Sequence, residues 1–364
     1  MEEDLGYRRV QRTGRGSYII SLPKTWAEKT GLRKGSEIAF RAQDDSSMVL
    51  MPRKILEEGK DAARPEAKEY SINIDQNDDP RSVCRKIISL YVVSSDIIRV
   101  HFKNDEIFQD HKKAVNNLVK NALLGSEIID ETANEITIKI LINHHQFPVE
   151  KAIRRMAILS LSAINDAVSA LKIMDVDLVR DVIDARNDVN RLNLYVIRQL
   201  KFGLEESRFE ELGFRTPKES LGYRIVANDI KSIADSAMNI ARKVSAFREM
   251  IKDQVLFVKE PVDEEAYSQI LDFNSLAHRL FEDSLGALFK RDYEHADRII
   301  FEIETLVTKE DDLIAVISSK KLDPNVLSIL SLILDNSRRI IEYSRNIAEV
   351  TLNRTIEEVS GQDL

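Results

Sequence analysis

Cysteine, glycine and proline are scarce in this sequence, and long apolar runs are missing. The 364 residues include one cysteine, Cys84, which excludes a disulfide framework within the chain and a four-thiolate zinc site. Twelve glycines and eight prolines are roughly half the usual share and favour a mostly helical protein. No apolar run reaches the about 18 residues of a membrane-spanning helix, and the polar N-terminus is unlike a signal peptide. We therefore expect a cytoplasmic protein without membrane insertion.

Glycine and positive charge are concentrated near the N-terminus. Five of the twelve glycines fall within the first 35 residues. The formal net charge is −8, yet residues 1–54 carry +4 and the remainder carries −12. Residues 57–68 are charged and lack large apolar side chains, so we predict a linker at 55–68. The sequence thus predicts a small basic domain at 1–54 that precedes a large acidic body.

The body begins with a mixed segment and continues as helices. Residues 69–145 alternate in the order β-α-β-α-β-β, which predicts a small α/β segment. Residues 126–130 and 136–142 are predicted to pair as strands. From about residue 150 the hydrophobic pattern is helical, with predicted helices at 153–171, 176–201, 219–252, 263–290, 293–318 and 325–353.

These predicted helices look like two copies of three. Residues 228–241 align without a gap with residues 335–348, at an offset of 107, and both end in Asn-Ile-Ala. Any two amphipathic helices align somewhere, but the shared ending and the matched helix order favour a true duplication. Short connections favour antiparallel packing, so each copy is predicted to be a three-helix bundle, at 146–256 and 257–364. The predicted fold class is therefore mainly α.

The N-terminal domain has the pattern of a ββαββ unit. Strands are predicted at 8–12 and 17–21 around a hairpin loop in which Gly14 and Gly16 supply positive φ angles. Pro23 is predicted at the first position of a short helix that ends at Gly31, with further strands at 37–41 and 48–51. A unit this small cannot bury a sufficient core alone. We therefore expect a two-fold dimer in which strands of both chains form one barrel.

The same segment resembles a known DNA-binding domain. Residues 7–54 contain VQRTGRGSYIISLPKTWAEKTGLRKGSEI and, after a polar turn, MVLMP, a pattern similar to the AbrB/SpoVT swapped-hairpin domain. The resemblance implies a homodimer that presents basic residues of both chains to DNA, at Arg8, Arg9, Arg12, Arg15 and Lys24. Charge supports this independently, because clustered cations neutralise phosphates and release counterions. The alternative is a solvated basic face that keeps the domain soluble.

The helical body resembles the PhoU family of phosphate-uptake regulators over residues 150–355. The segments ANDIKSIADSAMNIA and LDNSRRIIEYSRNIA align with a final-helix pattern of that family, which is close to RDLERIADHAxNIA. With the N-terminal domain, the whole chain resembles an archaeal PhoU-like regulator. The resemblance implies regulation by phosphate status.

The PhoU resemblance also implies a candidate metal site. The family can bind metal through carboxylates at positions i and i+4 of a helix, and Asp184 and Asp188 fit that pattern. The partner pairs are broken, because Lys231 and Arg338 stand where the family has an acid. These cations are expected to form intrahelical salt bridges with the acids four residues later. A solvated charge face at Asp184 and Asp188 is therefore favoured over a metal site, and no cofactor is predicted.

The sequence carries no sign of an enzyme, because it has no Gly-rich phosphate loop, G-x-S-x-G or H-E-x-x-H motif. The favoured function is a DNA-binding transcriptional regulator of phosphate uptake and homeostasis, whose body couples phosphate status to operator binding. The alternative is a signalling adaptor that docks on a phosphate transporter or another signalling protein, with the N-terminal domain acting mainly as a dimeriser. An antitoxin is disfavoured, because about 310 residues follow the N-terminal domain instead of a short tail.

Overall fold

The computed structural model describes residues 6–14, 16–42, 47–53, 67–75, 77–103, 109–142, 147–173, 175–205, 209–252, 264–306, 309–319 and 323–360. The chain divides into two compact units, Met1–Ala67 and Lys68–Leu364. Most of the predicted linker at 55–68 lies outside the described residues. Helices dominate the second unit, which confirms the mainly α fold. Within the described ranges, each helix is too short or too polar to cross a membrane.

Two antiparallel hairpins flank a short helix in the N-terminal unit, in the predicted ββαββ order. The elements are β1 (Gln11–Thr13), β2 (Ser17–Ile19), α1 (Lys24–Lys29), β3 (Ile38–Ala42) and β4 (Met48–Pro52). Strand β1 pairs with β2, and β3 pairs with β4. The first strand begins three residues later than predicted. Gly14 and Gly16 take φ angles of 53° and 120°, which explains the glycines of the first hairpin loop.

The ends of helix α1 agree with the sequence pattern in part. Pro23 is the residue before the helix, and the prediction that it occupies the first helical position is wrong. Its φ of −60° suits proline, but its ψ of 132° is extended, so the helix begins at Lys24. At the other end, the Thr30 hydroxyl donates to the Trp26 carbonyl oxygen at 2.7 Å. Gly31 follows with a φ of 68° and ends the helix as predicted.

A four-stranded sheet with two helices on one face forms the predicted α/β segment. Its elements are β5 (Glu69–Ile74), α2 (Pro80–Val92), β6 (Ile97–Phe102), α3 (Gln109–Ala122), β7 (Ser126–Glu131) and β8 (Glu135–Ile140). The strand order is β5-β6-β8-β7, with β5 parallel to β6 and the other neighbours antiparallel. The predicted pairing of 126–130 with 136–142 is confirmed. Alternate residues of β6 are buried with apolar residues of both helices, which places the core on that face.

Long helices form the rest of the second unit. They are α4 (Val149–Ile173), α5 (Val176–Glu205), α6 (Glu219–Lys252), α7 (Glu264–Lys290), α8 (Tyr293–Thr305), α9 (Lys309–Ser319) and α10 (Pro324–Val359). The prediction of one helix over 293–318 is wrong, because α8 and α9 divide that stretch. At the end of α8, the Thr305 hydroxyl donates to the Glu302 carbonyl oxygen at 2.6 Å. Such a local bond competes with continuation of the helix.

The two bundles share one apolar core. Helices α4, α5 and α6 pack on one another, and α10 packs on α7 and α8. One cluster of buried side chains includes Ile164 on α4, Ile233 on α6, Phe281 on α7 and Ile340 on α10. Helices α6 and α10 also pack directly against each other. Each bundle therefore stabilises the other by removing apolar surface from water.

Helices α6 and α10 cross as equivalent elements of the two copies. The Asn239 side-chain amide donates to the Asn336 side-chain oxygen at 3.3 Å, and Asn346 donates to the carboxylate of Asp229. The offset of 107 places Asn336 at the position of Asp229, and Asn346 at that of Asn239. An internal two-fold relation between the copies therefore maps each of these contacts onto the other. A gene duplication accounts for this symmetry, which supports the repeat seen in the sequence.

A buried arginine attaches the α/β segment to the helical body. Arg198 on α5 donates to the Tyr91 carbonyl oxygen at 2.8 Å and lies 3.8 Å from the Asp96 carboxylate. The Ser94 hydroxyl donates in return to the Arg198 carbonyl oxygen at 3.2 Å. These buried bonds fix the α/β segment on the body, because losing one partner would leave a polar group unsatisfied.

Candidate nucleic-acid interface

Four of the five predicted DNA-binding side chains lie in the described part of the N-terminal unit. Arg8 and Arg9 precede β1, Arg12 is the central residue of β1, and Lys24 is the first residue of α1. All four are exposed. Arg15, which stands between the two hairpin glycines, lies outside the described residues. The hairpin and the helix start thus carry the described cations.

These cations are held weakly by their own chain. The ammonium of Lys24 lies 3.7 Å from the Glu28 carboxylate, and both side chains are exposed, so the pair contributes little to stability. Arg8 donates to the carbonyl oxygen of its neighbour Tyr7 at 2.9 Å. Arg9 and Arg12 form no ion pair within the described ranges. Their guanidinium groups are therefore available to bind phosphates.

The second hairpin of this unit has an apolar face. The strand register pairs Ile38 with Pro52 and Phe40 with Leu50, and Met48 shares their face. Phe40 and Met48 are 62% and 57% exposed. Aromatic and methionine side chains of this size usually pack against a neighbour. The predicted dimer would supply one.

The acids that resemble the PhoU metal pattern lie among basic side chains. Lys231 lies 2.7 Å from the Asp235 carboxylate, and Arg338 pairs with Glu342, which confirms the predicted intrahelical salt bridges. Arg186 of α5 also binds Asp235, at 2.5 Å. Burial works to raise the pKa of Asp235, but the hydrogen bonds from Lys231 and Arg186 outweigh it and hold the pKa below its ordinary value. This carboxylate already has two cationic partners.

The remaining acidic pair, Asp184 and Asp188, lies exposed on α5. Arg180, which stands four residues before Asp184 on the same helix, lies 3.5 Å from the Asp177 carboxylate. The described ranges contain no cluster of three or more acidic, histidine or cysteine side chains that could hold a metal ion. The solvated charge face at Asp184 and Asp188 stays a prediction from the sequence.

Sequence reasoning missed a cluster of part-buried charges at the start of α6 and the end of α10. Glu219 accepts hydrogen bonds from Arg291, at 3.2 Å, and from Arg354, at 3.0 Å. Arg354 also donates to the Tyr223 hydroxyl at 2.9 Å, and Arg291 pairs with Glu358. The contacts of Glu219 join residues 72 and 135 positions apart, so no local motif predicts them.

Comparisons with known proteins bear on both units. The family model of the PhoU domain matches residues 153–244, and that of the antidote-toxin recognition protein MazE, a bacterial antitoxin, matches residues 11–57. A search of curated proteins finds no match.

Solved structures similar to the chain include two PhoU proteins. PhoU from Pseudomonas aeruginosa is 20% identical, with a TM-score of 0.47, over 59% of this chain and 96% of that one. The phosphate transport system regulatory protein PhoU from Streptococcus pneumoniae is 17% identical, with the same TM-score and coverage. The PhoU match spans helices α4 to α6, and the MazE match spans both hairpins. The chain therefore carries a PhoU domain in its helical body and a MazE/AbrB-like domain at its N-terminus.

Proposed function

We propose that this protein is a homodimeric transcriptional regulator of phosphate uptake and homeostasis, without enzymatic activity. The N-terminal domain binds operator DNA, and the PhoU domain couples phosphate status to that binding. The observation that carries the proposal is the set of exposed cations at the first hairpin, of which Arg9 and Arg12 have no ion-pair partner in the described ranges. A domain that only dimerised would not need guanidinium groups around one loop.

The dimer is supported by the apolar face of the second hairpin. Replacing Phe40 with aspartate changes a side chain that is 62% exposed in one chain, so it would be nearly neutral in a monomer. In a dimer that covers this face, the new charge would be buried without a partner. We expect the wild-type protein to sediment as a dimer at about 10 µM and Phe40→Asp as a monomer, since a cost of 1.4 kcal/mol already weakens association about tenfold.

The matched control for this variant is Ile158→Asp, which places the same charge at an exposed apolar position of α4. It is expected to remain dimeric. A wild-type protein that sediments as a monomer, or a Phe40→Asp variant that stays dimeric, would remove the support for a shared barrel.

A signalling adaptor is the second candidate, because the PhoU domain match concerns the body and needs no DNA. In that function the body docks on a phosphate transporter or another signalling protein. The MazE match makes an antitoxin a third candidate function. The long helical body that follows the matched segment disfavours that function.

An electrophoretic mobility shift assay separates these functions. The probe is the DNA upstream of the protein's own gene, with and without inorganic phosphate. We expect a specific shift whose dissociation constant changes by about fivefold or more with phosphate, the lower end of typical allosteric coupling. A specific shift whose dissociation constant does not change with phosphate would support DNA binding and contradict its coupling to phosphate. No specific shift would favour the adaptor.

A further inference from the structure

A cavity of about 640 Å³ opens beside the start of α6 and the end of α10. Its volume lies within the about 300–1,000 Å³ of typical small-molecule sites. Part of its lining is apolar, from Leu221, Ile225 and Val350. Leu221 and Ile225 are 67% and 47% exposed, so the apolar wall faces open space. The rest of the lining is strongly charged, and its cations are Arg215, Lys218, Arg291 and Arg354.

Two carboxylates engage three of these cations. Glu219 is bound by Arg291 and Arg354. Glu358 is bound by Arg215, at 2.6 Å, and by Arg291. The part-buried pairs with Glu219 hold the guanidinium groups of Arg291 and Arg354 in place in the cavity lining. Fixed donors favour binding, because little side-chain entropy remains to be lost.

Lys218 also lines the cavity, and its ammonium group takes no part in this ion-pair network. Within the described ranges it has no ion-pair partner, and the side chain is exposed. The described lining residues include four cations and three carboxylates, so together they carry a net positive charge. The surrounding body is acidic, with a formal charge of −12 beyond residue 54. The cavity is thus a local positive region on an acidic body.

The fold itself does not require these charges. The internal repeat shows this, because the offset of 107 maps residues at the cavity end of the α6–α10 contact onto residues at its other end. The positions equivalent to Glu219, Tyr223 and Arg354 are all buried and apolar, and are occupied by Val326, Leu330 and Phe247. The same helix contact is therefore built from buried apolar side chains at one end and from part-buried ions at the other.

Backbone strain gives independent support. Arg291 follows the last residue of α7 with a φ of 57°, in the left-handed region where glycine ordinarily ends a helix. A side chain with a Cβ atom is disfavoured there. An arginine at this position costs stability, and its guanidinium lies against Glu219 and Glu358. Strained residues of this kind concentrate at functional sites.

We infer that this cavity is a binding site for an organic phosphate of about nucleotide size. A phosphate head carries more charge than a carboxylate and has three terminal oxygens, which suits several cations that converge from different elements. The available volume exceeds that of an inorganic oxyanion, and the apolar wall of Leu221, Ile225 and Val350 suits the body of an organic ligand. Lys218 and Arg215 bind the head, and the apolar wall covers the body. The site does not depend on whether the chain binds DNA.

The test is isothermal titration of the full chain, without DNA, using AMP, glucose 6-phosphate and inorganic phosphate as probes. We expect at least one organic phosphate to bind at one molecule per chain, at least about tenfold more tightly than inorganic phosphate, which buries no apolar surface. Lys218→Ala should weaken that binding about tenfold or more, through loss of a charge-assisted hydrogen bond. It should leave the fold intact, because Lys218 is exposed and outside the ion-pair network.

The matched control is Lys201→Ala, an exposed lysine of α5 outside the cavity lining, which should leave the affinity unchanged. Leu221→Ser tests the apolar wall. It should weaken binding of the organic phosphate and leave binding of inorganic phosphate unchanged. The inference is overturned if neither organic phosphate binds at millimolar concentration. It is also overturned if inorganic phosphate binds as tightly as they do, or if Lys218→Ala and Lys201→Ala have equal effects.

Discussion

Replacing Arg12 and Arg15 together with alanine is expected to weaken operator binding by roughly 100-fold or more at about 0.15 M salt. If about four cations per chain contact phosphates, a dimer neutralises about eight, and the logarithm of affinity falls with that of salt at a slope near −7. The double variant removes about four contacts per dimer, so the slope should flatten by about 3 to 4. Titrations at several salt concentrations measure both quantities.

The effect should be on DNA binding and not on folding. Arg12 is exposed and has no ion-pair partner in the described ranges, so its loss should change the free energy of unfolding little. A charge-matched control is Arg155→Ala/Arg248→Ala, which removes two exposed arginines from α4 and α6. It should leave the slope unchanged. If the Arg12/Arg15 variant keeps the wild-type affinity and slope, the basic hairpin does not bind DNA and the adaptor takes precedence.

Local spacing made part of this structure predictable. A lysine or arginine four residues before an acid lies on the same helix face and within reach of it, and Lys231 and Asp235 form such a pair. Glycine between alternating strands predicts a hairpin, because few other residues accept its backbone angles. The repeat offset of 107 was also visible, because residues 228–241 and 335–348 share the same Asn-Ile-Ala ending.

Long-range contacts were not predictable in the same way. The Arg354–Tyr223 hydrogen bond joins positions 131 apart, and nothing near either residue in sequence indicates the other. The strand order of the α/β sheet depends on which edges meet in space, which a period of two cannot specify. The break between α8 and α9 escaped prediction because the apolar pattern runs through it. The candidate DNA-binding residues came from composition and motif, whereas the cavity came from packing.

The crossing of α6 and α10 contains a charge that the fold does not favour. Asp229 is 8% exposed and lies where the other copy has Asn336. Burial raises the pKa of Asp229 to about 6, and a hydrogen bond from Asn346 only partly opposes it. In the unfolded chain an aspartate has a pKa near 4. The folded state therefore binds a proton more tightly than the unfolded state does.

Because the folded-state pKa is raised, the contribution of Asp229 to stability is lost as pH rises from about 4 to about 6. The difference amounts to up to about 3 kcal/mol. Replacing Asp229 with asparagine removes this dependence, and the Asn239–Asn336 contact demonstrates that two asparagines fit the crossing. Urea unfolding should therefore find Asp229→Asn more stable than wild type by up to about 3 kcal/mol at pH 8, with the difference shrinking towards pH 4.5.

Asn336→Asp should have the opposite effect and lower the free energy of unfolding further at pH 8, since the two positions are equivalent. Asp188→Asn, at an exposed site, should change little at either pH. A difference between wild type and Asp229→Asn that stays constant from pH 4.5 to pH 8 would mean that Asp229 is ionised in the folded protein throughout, with its charge compensated at the crossing.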